Sequence, residues 1–313
     1  MNMLFMIGGI AFLYLGGELL VHGAVQLART LGVRQIVIGL TVVAFGTSSP
    51  ELAASLFAAF KDVHDVVLGN VVGSNILNIG AILGLSALIM PLETSAGFLR
   101  REVPFMIGTG ALLLLLVPNG MIGRIEGLLL FALLCIYILV LFRERKGEDD
   151  WAGAGKGGTA KRLPAGFTVV EVAAGTALLT FGASGLVTGA VATAEAMGVS
   201  QRIIGLTMVA FGTSLPELAS CVVACVRGHG KLILGSLVGS SIFNVLAILG
   251  LTGLIHPISI ASPAVVMADL LVMTGFGIAV LLLMVRGLEM KRWGGGVLLA
   301  LYVAYVFYLY LFM

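Results

Sequence analysis

The sequence predicts an all-α membrane protein of ten transmembrane helices, laid out as two inverted five-helix repeats in which helices 2 and 7 are broken. Three observations carry that prediction. A chain of 313 residues with 59% hydrophobic and 11% charged residues and a mean hydropathy of +1.11 is apolar enough to have hydrocarbon as its solvent. The stretch 38–91 recurs at 204–257 without a gap, and 30 of its 54 positions are identical. Lys and Arg divide 15 to 3 between the two ends of the predicted spans.

Apolar runs of about 20 residues, enough to cross about 30 Å of hydrocarbon as helix, define the spans in order. Span 1 covers 3–27. It has no charged leader and no small-residue cleavage site before Glu18, so it reads as a retained helix and not as a signal peptide. Span 2 (35–60) carries GTSSPE in its middle, and span 3 (66–90) carries GNVVGSN and stops at Pro91. Spans 4 (98–118) and 5 (122–142) complete the first half. After a solvated linker at 143–163, RERKGEDDWAGAGKGGTAKR and its neighbour, spans 6 to 10 fall at 165–195, 203–226, 232–256, 263–285 and 294–313. Spans 7 and 8 repeat the motifs as GTSLPE and GSLVGSS. The expected organisation is therefore 1–142, 143–163 and 164–313. Cys135, Cys221 and Cys225 lie inside spans and suggest neither a disulfide framework nor a metal motif.

Five helices per copy, an odd number, force the second copy to run opposite to the first. The offset of 166 reaches back into the first helix of each half, matching Gly16 to Gly182 and Gly23 to Gly189. Inverted halves of this kind place a shared site near the bilayer midplane and expose it to each side in turn. Short loops rich in Lys and Arg stay in the cytoplasm. The minority side holds only Lys61, Arg124 and Arg202, which puts both termini outside and the 143–163 linker in the cytoplasm. A multi-pass protein of the cell membrane is expected, acting as a monomer, with no nucleic-acid partner and no cofactor.

The chemistry follows from what a helix break frees. Pro50 and Pro216 have no N–H to offer the carbonyls of Gly46 and Gly212, and unpaired carbonyls in hydrocarbon cost several kcal/mol each. A hard cation would satisfy them, with Glu51 and Glu217 balancing its charge. Calcium takes about six to eight oxygen ligands. The repeated set Thr47, Ser48, Glu51, Ser74 and Asn78 with Thr213, Ser214, Glu217, Ser240 and Asn244 is rich in oxygen and lacks sulfur and imidazole, which argues against zinc or copper. Thr47 and Glu51, and Ser74 and Asn78, stand four apart and share a helix face. Glycines at 69, 73, 235 and 239 are expected to allow close helix approach. Two carboxylates brought together repel when empty, so a proton or cation must enter. Against ligation stands the common habit of membrane Thr and Ser to bond their own i−4 carbonyls.

GTSSPE and GTSLPE, each followed by GNVVGSN or GSLVGSS, resemble the paired alpha-repeats of the sodium/calcium exchanger branch of the cation/calcium antiporter superfamily. The resemblance covers the whole chain in length, helix layout and repeat order. It implies a secondary antiporter that exports Ca²⁺ in exchange for Na⁺. It also implies that Glu51 and Glu217 are shared between the two ions and that Thr47 and Thr213 give calcium-side oxygens. Ser48, Ser74, Ser214, Ser240 and the carbonyls of Ala44 and Ala210 would serve sodium, and Asn78 and Asn244 would close the central site. Some relatives have aspartate where this chain has Asn244, which removes one titratable charge. The linker is too short for the calcium-sensing domains of animal relatives.

Other readings stay open on sequence grounds. A Ca²⁺/H⁺ antiporter of the same superfamily shares the fold, although its members usually carry a Gly-Asn pair before the glutamate. A cation channel also uses polar breaks. Gly182-Ala183-Ser184-Gly185 matches the GxSG pattern of rhomboid intramembrane proteases, whose serine needs a histidine base; the chain offers only His22, His64, His229 and His256. Glu18, whose repeat partner is Ser184, reads as a packing contact or a gate. Glu171, Glu195 and Asp269 read as snorkelling or interfacial groups, Lys61 to Asp65 as a solvated turn, and His256 as an interfacial turn residue.

Overall fold

The computed structural model describes residues 2–143, 164–196 and 210–312. The linker at 144–163 and residues 197–209, which include the first seven of predicted span 7, lie outside the described residues. Among those described, the chain is helical apart from four two-residue strands. Eight helices are long and apolar enough to cross a membrane, and nine if a bent pair counts as one span. In order they are α1 (Asn2–Leu31), the bent pair α2 (Gln35–Thr47) and α3 (Ser49–Phe60), α4 (His64–Ile89), α5 (Ala96–Leu116) and α6 (Arg124–Arg143). Then come α7 (Ala165–Ala196), the one-turn α8 (Ala210–Thr213), α9 (Leu215–Val226), α10 (Gly230–Ile255), α11 (Pro263–Met284) and α12 (Arg292–Phe312).

The chain forms two compact units, one of Met1–Pro50 with Glu144–Ser236 and one of Glu51–Arg143 with Leu237–Met313. Each unit thus draws on both sequence halves.

In the first unit α1 and α7 run antiparallel along a glycine seam. A Cβ on Gly16 would stand 2.7 Å from the Leu179 amide and 2.8 Å from the Gly175 carbonyl, and one on Gly9 would stand 2.7 Å from the Gly182 carbonyl. These glycines sit seven apart on each helix, so the backbones touch directly. The GASG serine motif is part of this seam: Gly182 packs on Leu13 and Gly9, and Ser184 is exposed. Its two glycines therefore have a packing role. Glu18 is held by a forked pair with Arg227 at 2.8 and 3.1 Å, and Glu171 by His22 at 3.2 Å.

In the second unit the contacts come in duplicate. Gly84 on α4 packs on Gly295 of α12, and Gly250 on α10 packs on Gly127 of α6. Strand β1 (Leu92–Glu93) pairs antiparallel with β4 (Glu289–Met290), and β2 (Met121–Ile122) pairs with β3 (Ile258–Ser259). The Tyr137 hydroxyl donates to Glu102 at 2.5 Å, and the Tyr305 hydroxyl donates to Asp269 at 3.0 Å. Asp269 is thus tied to a tyrosine, a different role from the snorkelling group read from sequence. The relation between copies extends past Pro91 and Pro257, where sequence similarity fades. Among the described residues nothing lies within 4 Å of an added Cβ on Gly69 or Gly73, so the expected close approach is not seen there; in the first unit Gly235 does make one, meeting the Ile36 carbonyl.

Candidate functional site

Both Gly-Thr-Ser-x-Pro-Glu motifs build the same local turn. Ser48, between α2 and α3, has φ −86° and ψ 5°, and Ser214, ahead of α9, has φ −93° and ψ 6°. That conformation lies in the sparsely used bridge region, and it redirects the chain, by 44° at Ser48. The proline follows in the first turn of the new helix, where its missing N–H is no loss. The glutamate comes next, still in that first turn, where the positive end of the helix dipole favours a carboxylate. The preceding glycine is required by packing against α7: a Cβ on Gly46 would stand 2.7 Å from the Thr176 hydroxyl, and one on Gly212 would collide with Val187.

In the first unit the two copies meet. Ser48 Oγ donates to Glu217 Oε1 at 3.1 Å. Thr47, Ser48, Ser214 and Glu217 are buried, Ala44 with them, and Thr213 is half-buried. Thr47 does what membrane threonines commonly do, donating to the Val43 carbonyl at 3.1 Å. The Ala44 carbonyl accepts the Ser48 amide at 3.0 Å and, more distantly, the Thr47 hydroxyl at 3.5 Å. Ala210 opens α8.

In the second unit Glu51 is 1% exposed, and its main-chain carbonyl accepts Asn70 Nδ2 at 3.1 Å. Asn70, Ser74 and Asn78 stand four apart and so share one face of α4. Asn78 and Asn244 each sit at the start of a π-helical turn, Leu77–Ile82 and Asn244–Leu249. Such turns disturb the regular ladder and recur at functional sites. Asn244 Nδ2 donates to Asn75 Oδ1 at 3.0 Å, while Asn75 Nδ2 donates to the Ser241 carbonyl at 3.2 Å. Asn75 thereby fixes which way the Asn244 amide points and holds α10 against α4 within one turn of Asn78.

Sequence reasoning missed Asn75 and Asn70. Their repeat counterparts are Ser241 and Ser236, so a search for identical polar positions passes over them. The available signal was a second asparagine one turn before Asn78.

The polar atoms left over share one character. Glu217 Oε2, Asn244 Oδ1 and both amide atoms of Asn78 are buried without a hydrogen-bond partner among the described residues, and all three residues are 0% exposed. Buried polar groups ordinarily find partners, and each exception needs an explanation. Three of these four atoms are oxygens able only to accept, which suits a desolvated hard cation. Asn75→Ala should release the Asn244 amide. We expect Ca²⁺ affinity to fall about tenfold, from loss of a hydrogen bond worth about 1–1.5 kcal/mol, with Asn75→Asp, which keeps the Oδ1 acceptor, intermediate; calorimetric titration measures both.

Comparison with known proteins bears on the whole chain. A family model described as sodium/calcium exchanger protein matches residues 1–143 and 167–311. Sodium/calcium exchanger MaX1 of Methanosarcina acetivorans is 34% identical over 345 residues, spanning 99% of this chain and 98% of the relative. Inner membrane protein YrbG of Escherichia coli is 34% identical over 261 residues, spanning 80% and 79%. A structure of the sodium-calcium exchanger NCX_Mj soaked with Na⁺ and Sr²⁺ superposes with a TM-score of 0.84 at 29% identity, covering 97% of each chain.

Proposed function

This chain belongs to the sodium/calcium exchanger protein family, and on that premise we propose that it is a secondary antiporter that exports Ca²⁺ in exchange for Na⁺ by alternating access. A transporter family leaves no place for the intramembrane protease, and the seam role of Gly182 accounts for the motif that suggested it. The observation that carries the ion-binding reading is that each unit buries acceptor oxygens without a partner among the described residues, on Glu217 in the first and on Asn78 and Asn244 in the second. A bound ion would supply the missing partner.

In this reading Ca²⁺ and Na⁺ are substrates and alternate on Glu51 and Glu217. Thr47 and Thr213 face calcium. Ser48, Ser74, Ser214, Ser240 and the carbonyls of Ala44 and Ala210 serve sodium, and Asn78 and Asn244 close the site. The Ser48 to Glu217 bond keeps the carboxylate oriented while no ion holds it. Emptying the site leaves its oxygens unsatisfied, so one ion's departure favours the other's entry. That competition is the physical basis of obligatory exchange.

We place the protein in the cytoplasmic membrane as a monomer with ten spans, both termini outside and the 143–163 linker inside. The repeats are 1–142 and 164–313. Inversion is supported by the antiparallel seam of α1 and α7, the first helix of each copy, and by the exchanged pairs Gly84 with Gly295 and Gly250 with Gly127. Symmetry-related halves rocking about a shared site would carry the ion across.

The deciding experiment is ⁴⁵Ca²⁺ uptake into proteoliposomes loaded with Na⁺. Uptake should require internal Na⁺. Uptake driven by an outward H⁺ gradient without sodium would keep the antiport and overturn the sodium coupling, and uptake without any counter-ion would indicate a channel.

A further inference from the structure

We infer that Asp62, His64 and His256 form a binding site for a borderline divalent transition metal of the zinc class, separate from the site that Glu51 and Glu217 serve. All three belong to the second unit. Asp62 and His64 come from the turn joining α3 to α4, and His256 caps the C-terminus of α10. One ligand atom from each lies within 4.8 Å of the others. Asp62 Oδ1 is 3.8 Å from His64 Nε2 and 3.6 Å from His256 Nε2.

Those separations decide between two accounts. They exceed the 2.7–3.2 Å of an N–H···O hydrogen bond. They lie at or within about 0.2 Å of the edge of a zinc coordination polyhedron, where bonds of about 2.0–2.2 Å set ligand atoms roughly 3.3–3.6 Å apart. The nitrogens turned toward Asp62 are the Nε2 atoms, and the Nδ1 atoms of both imidazoles are buried without a hydrogen-bond partner among the described residues. The rings are tilted by 31° with centroids 5.8 Å apart, and the edge of Phe60 backs His256 at 6.0 Å. Two imidazoles and one carboxylate with the remaining position open to water form a common donor set for such metals. Asp62 has 77% of its side chain exposed, which gives an ion a way in. The nearby Lys61 ammonium lies over the Phe57 ring at 5.7 Å.

The repeat supplies an independent observation. Asp62 adopts φ 57°, and its counterpart one repeat on, Gly228, adopts φ 75°. The turn needs a left-handed residue, which glycine supplies without steric cost and a residue with a side chain does not. One copy takes the easy solution and the other keeps a carboxylate at the strained position. The counterparts of His64 and His256 are Gly230 and Met90, so the donor set exists once. An ion held there would clip the α3–α4 turn to the end of α10 and stiffen that edge of the unit.

The test is a Zn²⁺ titration of the full-length protein in detergent without Ca²⁺, read by competition with a chromogenic chelator. One ion should bind, with the dissociation constant raised about tenfold or more in each of His64→Gln, His256→Gln and Asp62→Asn, since each removes a ligand. Zn²⁺ should also raise the melting temperature of the unsubstituted protein and leave that of Asp62→Asn unmoved, while all four melt alike in chelator. The inference is overturned if the three variants bind Zn²⁺ like the parent, or if binding survives in them and is lost in Glu217→Gln, which would put the ion on the transport site.

Discussion

Glu217→Gln should abolish Na⁺-dependent Ca²⁺ uptake while leaving a folded protein. The carboxylate is fully buried, one oxygen accepts Ser48 Oγ at 3.1 Å and the other has no hydrogen-bond partner among the described residues. Glutamine keeps the size and one acceptor, so Ser48 stays bonded and the turn persists. What disappears is a full negative charge opposite a desolvated divalent ion. Removing one partner of a buried charge pair costs about 3–5 kcal/mol, or roughly 10²–10⁴-fold in affinity. The Glu51→Gln variant should behave alike, because Glu51 occupies the matching place in the first turn of α3. Uptake assays with ⁴⁵Ca²⁺, together with an unchanged melting temperature in ion-free buffer, measure both halves of the expectation. Normal uptake by either variant would mean the ion site lies elsewhere.

Gly175→Val should be the most damaging single change outside the ion site. A Cβ there would stand 2.5 Å from the Leu20 amide and 2.9 Å from the Gly16 carbonyl. These are backbone atoms in the middle of a helix, so no rotamer change makes room and α7 must leave α1. Overpacking commonly costs about 1–3 kcal/mol where side chains can shift, and a seam of main chain against main chain should exceed that range. The expected result is loss of folded protein after detergent extraction, measured by size-exclusion chromatography and thermal melting. Gly108→Ala is the control. That position on α5 has no described residue within 4 Å of the added atom, and alanine favours helix over glycine by about 1 kcal/mol, so stability should hold or rise.

The contrast between these two glycines shows what sequence reveals and what it hides. Composition and run length were enough to assign membrane helices, because hydrocarbon tolerates few alternatives. The broken helix was legible at Ser48-Ser49-Pro50-Glu51, since the proline and the glutamate state where a helix must restart and what it must hold. The glycines were less legible: 69 and 73 looked like packing positions and meet no neighbour among the described residues, whereas 9, 16, 175 and 182 form the seam. A small residue permits close approach but does not say which neighbour will arrive. Asn75 escaped because its copy is a serine, and Glu102 with Tyr137 escaped because its copy pairs an aspartate, Asp269, with Tyr305 at a slightly different offset. Identity between copies finds residues that chemistry forbids to vary. It passes over partners that can be exchanged for equivalents.

The exchanged contacts of the second unit also bear on how far the two copies can differ. Each small ribbon takes one strand from either copy, β1 with β4 and β2 with β3, and the helix contacts follow the same rule, Gly84 with Gly295 and Gly250 with Gly127. When i touches j and the equivalent of j touches the equivalent of i, the arrangement obeys the rule of a self-complementary two-fold dimer. Two separate molecules of a half-length chain could make these contacts only with identical residues on both sides. One chain that carries both copies lets them differ, and here one has Asp62 where the other has Gly228, and one has Asn75 where the other has Ser241. Asymmetry of that kind is open to a fused chain and closed to a homodimer, whose two copies must change together.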